Sequence, residues 1–162
     1  MLDFFLILTG EYQPTQMNSN PSLNPSDRSD PELPVGVSRQ EVSAPLTNSP
    51  DAKAEWLTHD AAGPDATTVL HIYGSTFLMN RGPMHTLLAA ECARQVHGRT
   101  FLFDYALAPE KPFPLAIQDV VETYRSLIAQ GLNPRSIVIF ADGAGAAIAL
   151  AALSILRDAG DS

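Results

Sequence analysis

The residues with the clearest potential for chemistry lie in a glycine-containing turn, Ala-Asp-Gly-Ala-Gly, at positions 141–145. The β-branched and aromatic residues 137–140 precede the turn and predict a strand, and an apolar segment typical of a helix follows it. A strand, a sharp turn and a helix can expose a nucleophile above a sheet in the pattern G-x-S-x-G, ready to attack an acyl carbon. The central residue here is Gly143. Because glycine has neither hydroxyl nor thiol, the sequence offers the turn without its nucleophile.

Other residue types that support catalysis or metal binding are few. The four histidines, His59, His71, His85 and His97, show no ligand spacing, and the single Cys92 can form neither an internal disulfide nor a cysteine-based metal site. We therefore expect no metal and no cofactor. We interpret Cys92 as a buried helix residue and His71 as a core or rim residue of a buried strand.

The elements that must position the turn follow from the periodicity of the chain. Residues 37–44 and 54–59 predict two short strands that form an antiparallel ribbon at a sheet edge. Downstream, three strands alternate with three helices. The strands are expected at residues 67–73, 99–105 and 136–140, and the helices at residues 83–97, 113–130 and 145–156. Because such alternation implies parallel crossovers, the sequence predicts an α/β fold with a mostly parallel sheet of about five strands and helices on both faces.

Two of the helices have apolar residues at helical spacing, which predicts the face that each turns toward the core. In the first helix the predicted inward residues are Met84, Leu87, Leu88, Cys92 and Val96. In the second helix they are Ile117, Val120, Val121, Tyr124 and Ile128. The residues predicted to face outward in the second helix are Asp119, Glu122 and Arg125.

The composition bounds the partners and the location. The chain of 162 residues is acidic, with 10 basic and 18 acidic residues and a formal net charge of −8. No clustered lysine and arginine run is present to neutralise phosphates, so we expect no nucleic-acid partner.

Residues 1–34 are expected to form a flexible lead-in with a short apolar segment. That segment, residues 4–8, is shorter than the roughly 20 residues of a membrane span, so we expect no span and a cytoplasmic location.

One block of the sequence is specific enough to indicate a family. Residues 104–110, Asp-Tyr-Ala-Leu-Ala-Pro-Glu, are followed by Pro-Phe-Pro at 112–114. This block resembles the D-Y-x-L-A-P-E…F-P block of the hormone-sensitive-lipase-like branch of the α/β-hydrolase fold, a branch of esterases and lipases. Residues 69–77 are similar to that branch's strand and H-G-G-G-F oxyanion loop, and residues 141–145 are similar to its G-D-S-A-G elbow. The resemblance implies a partial hydrolase domain at 35–162 that lacks the C-terminal strands.

The resemblance also implies where an oxyanion would bind. Tyr73 replaces the histidine of the family motif, Gly74 keeps the first glycine, and Ser75 and Thr76 replace the next two. In the family, N–H groups of this loop and of the residue after the nucleophile, here Ala144, point at the developing oxyanion. Serine and threonine resist the positive φ that glycine allows, so we expect an altered oxyanion site. Ser75 has no identifiable base beside it and is not favoured as a substitute nucleophile.

The family places its catalytic acid and then its histidine after the nucleophile. Asp158 and Asp161 are too close to the third helix to occupy the position of the acid, and no histidine follows His97. With Gly143 at the nucleophile position, we expect a truncated and inactive homologue of an ester hydrolase, that is, a pseudoenzyme. Two alternatives stay open: a residually active short-acyl esterase, and a noncatalytic interaction module.

The interaction alternative depends on the third parallel strand, at residues 136–140. Without a further strand beside it, its outer edge would expose unpaired N–H and C=O groups along an apolar sequence. The helix at 145–156 is apolar nearly all round and would also lack part of its cover. Self-association or a partner chain could complete the sheet at this edge.

Overall fold

Five strands form one sheet, and three helices pack against it. The computed structural model describes residues 31–161. The strands are β1 (Val37–Ser43), β2 (Lys53–His59), β3 (Thr68–Ile72), β4 (Arg99–Phe103) and β5 (Ile137–Ala141). The helices are α1 (Pro83–Gln95), α2 (Leu115–Ala129) and α3 (Gly143–Ala159), and a 3₁₀ turn at Pro134–Ser136 precedes β5. Every predicted strand and helix is therefore confirmed, with ends that differ by a few residues.

The strand order across the sheet is β1-β2-β4-β3-β5. β2 pairs antiparallel with β1 on one side and with β4 on the other, whereas β3 pairs parallel with both β4 and β5. The α/β class, the five strands and the antiparallel N-terminal ribbon are confirmed. The sheet is mixed, because the ribbon joins the three parallel strands through an antiparallel pairing.

The helices cover both faces of the sheet. The chain crosses from β3 to β4 through α1 and returns past β3 to β5 through α2, so right-handed crossovers place α1 and α2 on opposite faces. α3 packs against α2, β3 and β5. β3 is buried along its whole length. The loops that follow the three parallel strands lie together at the carboxyl ends of these strands, where sites form in open α/β sheets.

The single tryptophan of the chain lies in β2. Trp56 is opposite Phe101 of β4, with ring centroids 4.7 Å apart, and opposite Gln40 of β1. Such cross-strand aromatic pairs help to fix the register of neighbouring strands. Trp56 therefore reports on the β1 end of the sheet.

The predicted inward face of α1 is wrong. The buried residues of α1 are Thr86, Ala89, Ala90 and Ala93. Met84 and Leu88, which were expected inside, are 48% and 38% exposed, and Cys92 is only partly buried. The small side chains let the helix approach the sheet closely, so the alanine face packs inward and the larger side chains remain outside. Burial, together with the charge of Glu91, still raises the pKa of the Cys92 thiol to about 11.

The predicted outward position of Asp119 in α2 is also wrong, although Val120, Val121 and Tyr124 are buried as expected. The Asp119 side chain is fully buried. Its Oδ2 accepts hydrogen bonds from the Ala106 N–H at 2.8 Å and from Ser49 Oγ at 3.1 Å. Burial raises the pKa of this carboxyl, and the two hydrogen bonds oppose that shift. A carboxylate that satisfies a loop amide can occupy a core position that helical spacing alone assigns to solvent.

β5 is an edge strand in the part of the chain that the structure describes, as the sequence predicts. No strand within residues 31–161 pairs with the side of β5 that faces away from β3. Val138 on this strand is 41% exposed. On α3, Leu150 and Ile155 are 66% and 46% exposed. The sheet is therefore open at an apolar edge.

The expected lead-in at 1–34 lies almost wholly outside the described residues, so its predicted flexibility stays a prediction. The same holds for the apolar segment at residues 4–8. Among the helices in residues 31–161, none is long and apolar enough to cross a membrane.

Candidate active site

The turn at positions 141–145 forms a sharp elbow between β5 and α3. The helix begins at Gly143, two residues earlier than expected, so the position equivalent to a nucleophile is its first residue. Gly143 has φ +50°, a left-handed conformation that costs a glycine little and strains other residues. A Cβ at this position would lie 3.4 Å from the Cα of Gly74, an ordinary contact. The elbow therefore keeps its shape and has room for a side chain that the sequence does not supply.

Two other glycines are required by close packing around the elbow. A Cβ at Gly145 would lie 2.1 Å from the carbonyl oxygen of Ile72. A Cβ at Gly74 would lie 2.9 Å from the carbonyl oxygen of Asp142 and 3.2 Å from the Cα of Gly143. The elbow, the end of β3 and the following loop thus approach each other backbone to backbone, a spacing that only glycine permits at these two positions.

The loop after β3, residues 74–82, has positive φ at two positions that are not glycine. Thr76 has φ +53° and Phe77 has φ +65°. For residues other than glycine such conformations cost about 1 to 3 kcal/mol each. The expected resistance of threonine to positive φ is thus overcome by the surrounding structure. Within residues 31–161, the backbone N–H groups of Ser75, Thr76 and Ala144 donate to no protein acceptor.

Tyr105, from the family block after β4, is hydrogen-bonded to the start of this loop. Its hydroxyl donates to the carbonyl oxygen of Tyr73 at 2.6 Å, and Ser75 Oγ lies 2.9 Å from the same hydroxyl. Burial raises the pKa of Tyr105 to about 12, against the effect of the Ser75 hydrogen bond, so the phenol stays protonated and donates. Because the proton of Tyr105 is directed at Tyr73, Ser75 must donate its own. Its hydroxyl is buried and already engaged.

Asp142, the residue before Gly143, connects the elbow to the loop and to β3. Its Oδ2 accepts the N–H of Gly74 at 3.1 Å, and its Oδ1 lies 3.2 Å from His71 Nε2. Burial lowers the pKa of His71, against the hydrogen bond and charge of Asp142, so the ring is neutral and Nε2 carries the hydrogen. The interpretation of His71 as a buried strand residue agrees with its full burial, but the sequence did not reveal its contact with Asp142.

A buried ion-pair network anchors the far end of the loop. Glu55 of β2 is fully buried, and its Oε1 binds Arg81 at 2.5 Å and accepts from Thr86 Oγ1 at 2.7 Å. Arg81 also binds Asp104, the first residue of the family block, at 2.7 Å. Arg39 of β1 pairs with the second oxygen of Glu55. Removing one partner of such a network leaves an uncompensated buried charge, so the whole set stays together.

An apolar cavity of about 470 Å³ opens between the loop, the family block and α3. Phe77 and Phe113 line its rim, and Ile117, Ile148 and Ala151 lie deeper. The backbone contributes a contact at the rim, since the Ala108 N–H donates to the Phe77 carbonyl oxygen at 2.9 Å. Cavities of this size and character accept the apolar part of small ligands.

Asp158 and Asp161 lie far from the elbow. Asp158 follows Gly143 by fifteen positions on α3, which corresponds to about 22 Å along a helix. Each carboxylate pairs with an arginine there, Asp158 with Arg157 at 2.8 Å and Asp161 with Arg125 at 2.6 Å. The interpretation of both residues as polar groups at a helix end agrees with these positions.

Comparison with known proteins places this geometry in a family. The family model described as alpha/beta hydrolase fold matches residues 69–162, and the chain belongs to that family. An acetyl-hydrolase of Streptomyces hygroscopicus is 36% identical over 107 residues, which are 66% of this chain and 35% of that protein. An esterase of Acinetobacter venetianus is 36% identical over 83 residues, 51% of this chain and 27% of that protein. The chain thus spans about a third of the length of these relatives.

Solved structures agree with the sequence comparison. The crystal structure of EstE5 soaked with p-nitrophenyl butyrate matches with a TM-score of 0.71 and 30% identity, over 81% of this chain and 42% of that one. An esterase from the bacterial hormone-sensitive lipase family matches with a TM-score of 0.70 and 30% identity, over 80% of this chain and 41% of that one. The resemblance to the hormone-sensitive-lipase-like branch is therefore confirmed, and the described sheet is a partial α/β-hydrolase fold.

Proposed function

We propose that this chain is a noncatalytic member of the esterase and lipase branch, which retains the framework of the site but forms no acyl-enzyme. The observation that carries the proposal is Gly143 at the first position of α3, where the elbow would present a nucleophile. Loss of the nucleophile alone lowers kcat by about 10⁶ in a serine hydrolase. The proposal depends on this residue and not on the length of the chain.

The contacts of Ser75 support the proposal, because Ser75 is the hydroxyl that the rewritten loop offers as a substitute nucleophile. Its oxygen is hydrogen-bonded to Tyr105 and buried. A serine nucleophile needs a base that accepts its proton. The group beside Ser75 is instead a phenol with a raised pKa, which donates its own hydrogen to Tyr73. Ser75 therefore lacks both the access and the base that a nucleophile needs.

The direct test is hydrolysis of p-nitrophenyl acetate by the purified chain. We expect the rate to equal that of heat-denatured protein, both for the natural sequence and for Ser75→Ala. A fluorophosphonate probe on the same preparation would label a contaminating serine esterase at another mass and so identify its contribution. Saturable turnover that is unaffected by removal of every labelled contaminant would overturn the proposal.

Residual esterase activity is the alternative that the free N–H groups of Ser75, Thr76 and Ala144 favour, since these donors could polarise an ester carbonyl. The same assay separates the two functions. Turnover by the natural chain that survives in Ser75→Ala would assign the activity to the backbone donors and an attacking water. Absence of turnover leaves the framework without chemistry.

A second candidate function is an interaction module, and the specific observation that favours it is the open β5 edge. Edge strands of apolar sequence pair readily with other strands. Light scattering coupled to size-exclusion chromatography would show association that depends on concentration. A monomer that stays soluble at high concentration would contradict this function.

A further inference from the structure

Both polar backbone groups of Gly74 are held by side chains. Its N–H donates to Asp142 Oδ2 at 3.1 Å, and its carbonyl oxygen lies 3.2 Å from His85 Nε2. The other ring nitrogen of His85, Nδ1, accepts the N–H of Gly82 at 2.8 Å. Gly74 and Gly82 are the two ends of loop 74–82. One imidazole ring thus joins both ends of the loop, and we name this pair of hydrogen bonds the His85 clasp.

Only one protonation state of His85 satisfies the clasp. Nδ1 accepts from an N–H and so carries no hydrogen, whereas Nε2 faces a carbonyl oxygen and so donates one. This is the neutral tautomer with hydrogen on Nε2. In the charged imidazolium both nitrogens carry hydrogen, and Nδ1 would then oppose the N–H of Gly82. Protonation therefore breaks the bond at Gly82 and leaves only the bond at Gly74.

The ionisable groups around the clasp do not compensate for an added proton. On the β3 side, the His85 ring lies against the ring of Tyr73, with centroids 5.0 Å apart, and the tilted ring of Tyr105 contacts Tyr73 with centroids 4.6 Å apart. The nearest histidine is His71, whose neutral ring binds Asp142. Asp142 already accepts from His71 and Gly74. At the loop end, the charge of Arg81 is paired with Glu55 and Asp104.

The loop that the clasp closes is strained. Thr76 and Phe77 both have positive φ, a conformation that surrounding contacts must impose on residues of these types. Inside the loop, the N–H groups of Leu78 and Met79 donate to the Ser75 carbonyl oxygen at 3.1 and 3.0 Å. Arg81 keeps the far end of the loop paired with Glu55 and Asp104, so a change at the clasp acts on the middle of the loop. Opening there would relieve the strain at Thr76 and Phe77, which is the form of a two-state element.

We propose that protonation of His85 releases loop 74–82, so that the loop is closed when the His85 ring is neutral and opens when the ring is charged. Opening moves Phe77 from the rim of the apolar cavity and displaces the backbone of Ser75 and Thr76. The site edge is therefore ordered only when His85 is neutral. This behaviour is independent of whether the site catalyses a reaction.

Amide hydrogen exchange followed by NMR between pH 7.5 and 5.0 tests the proposal, with rates corrected for the intrinsic effect of pH. We expect exchange at Leu78, Met79 and Ala108 to rise by about 2- to 12-fold in acid, the range that corresponds to loss of one hydrogen bond. The Gly82 amide shift should follow the titration of the His85 ring with the same midpoint. Amides of β3 and β4 should keep their protection, which separates loop opening from unfolding.

His85→Gln is the decisive variant. Glutamine at this third helical position is the usual capping-box residue and accepts the N–H of the residue before the helix without titrating. We expect a loop that stays protected from pH 7.5 to 5.0 in His85→Gln, and a loop that exchanges fast at both pH values in His85→Ala. His97→Asn, at a distant histidine whose positive φ asparagine tolerates, should behave as the natural chain does.

Two outcomes would overturn the proposal. One is protection of Leu78 and Met79 that does not change between pH 7.5 and 5.0 in the natural chain. The other is an acid transition that His85→Gln leaves intact, which would assign the transition to His71 or to a group outside the loop.

Discussion

The two edges of the sheet are built differently. β1 reads Val-Ser-Arg-Gln-Glu-Val-Ser and has polar or charged residues at five of its seven positions. β5 reads Ile-Val-Ile-Phe-Ala and has no polar side chain. Charged residues on an edge strand discourage pairing with other chains, so β1 has the sequence of an outer strand. β5 has the sequence of an interior strand, although it is an edge strand within the described residues.

The candidate site lies at the second of these edges. The elbow at Gly143 continues directly from β5, and the helix that follows leaves Leu150 and Ile155 exposed. The β1 end is instead held by the network around the buried Glu55. A network of buried ion pairs thus stabilises one end of this sheet, whereas the other end depends on close backbone contact, apolar packing and the hydrogen bonds of one carboxylate, Asp142.

The largest effect is expected at the charged end. Glu55→Ala leaves Arg81 without its buried carboxylate partner and should lower the free energy of unfolding by about 3 to 5 kcal/mol. Urea denaturation followed by Trp56 fluorescence measures it. Glu41→Ala is the matched control, because Glu41 lies on β1 and its salt bridge with Arg39 is exposed, and it should cost about 0 to 1 kcal/mol. Equal losses in the two variants would contradict the contrast between the two ends.

At the β5 end, Gly145→Ala should be the most damaging small substitution. The new methyl would meet the Ile72 carbonyl oxygen at 2.1 Å, which forces α3 away from β3 and should cost about 1 to 3 kcal/mol. Gly63→Ala is the control, since a Cβ there meets nothing within 4 Å. Urea denaturation followed by far-UV circular dichroism compares them, and an unchanged midpoint for Gly145→Ala would count against close packing at the elbow.

Stability should depend on pH through His71. Its pKa lies below the ordinary value of 6.5 because of burial, with Asp142 opposing. The folded chain then binds fewer protons at His71 than the unfolded chain does. The contribution of His71 to the free energy of unfolding is therefore complete above the ordinary pKa of 6.5 and is lost as pH falls through the lower pKa of the folded chain. Denaturation midpoints at several pH values, measured in the His85→Gln background, should fall in acid, and His71→Asn should flatten the slope. A denaturation midpoint that rises in acid would show that the pairing with Asp142 affects the pKa of His71 more than burial does.

The smallest change in stability, within about 0.5 kcal/mol, is expected for Val138→Lys on β5. Its effect should appear in association instead, because a lysine on the exposed edge discourages strand pairing. Light scattering should show a lower apparent mass at high concentration for Val138→Lys than for the natural chain. Gln40→Lys, on the already polar β1, should change nothing. The interaction function loses its basis if both variants associate as the natural chain does.

Much of the fold could be predicted because periodicity and turn residues are local signals. The five strands and the three helices all follow from short stretches of sequence. The predicted inward face of α1 was wrong because alanine is only weakly hydrophobic. Larger apolar residues such as Met84 and Leu88 therefore dominated the periodicity, although the alanines are the residues that are buried. The predicted outward position of Asp119 was wrong because its burial depends on hydrogen bonds from the Ala106 amide and Ser49. Only folding brings these groups next to Asp119.

The same distinction applies to the candidate site. Gly143 and the rewritten loop were visible because the family motif fixes their positions along the chain. The contact of His71 with Asp142 joins residues 71 positions apart, and that of Ser75 with Tyr105 joins residues 30 apart. Neither pair has a local signature. The His85 clasp does have a local signal. Gly82 precedes α1, Pro83 is its first residue and His85 is its third residue, the position from which a capping-box side chain binds the N–H of the residue before the helix.

The position of Trp56 has a spectroscopic consequence. The only indole of the chain contacts the tilted ring of Phe101 beside the β1 edge, so fluorescence records the surroundings of one end of the sheet. Circular dichroism averages over all the helices, including α3 at the opposite end. If the two ends melt as one unit, both signals have the same midpoint. Separate midpoints, with ellipticity lost first, would reveal a domain that unravels from the elbow inward while its tryptophan still reports a native strand.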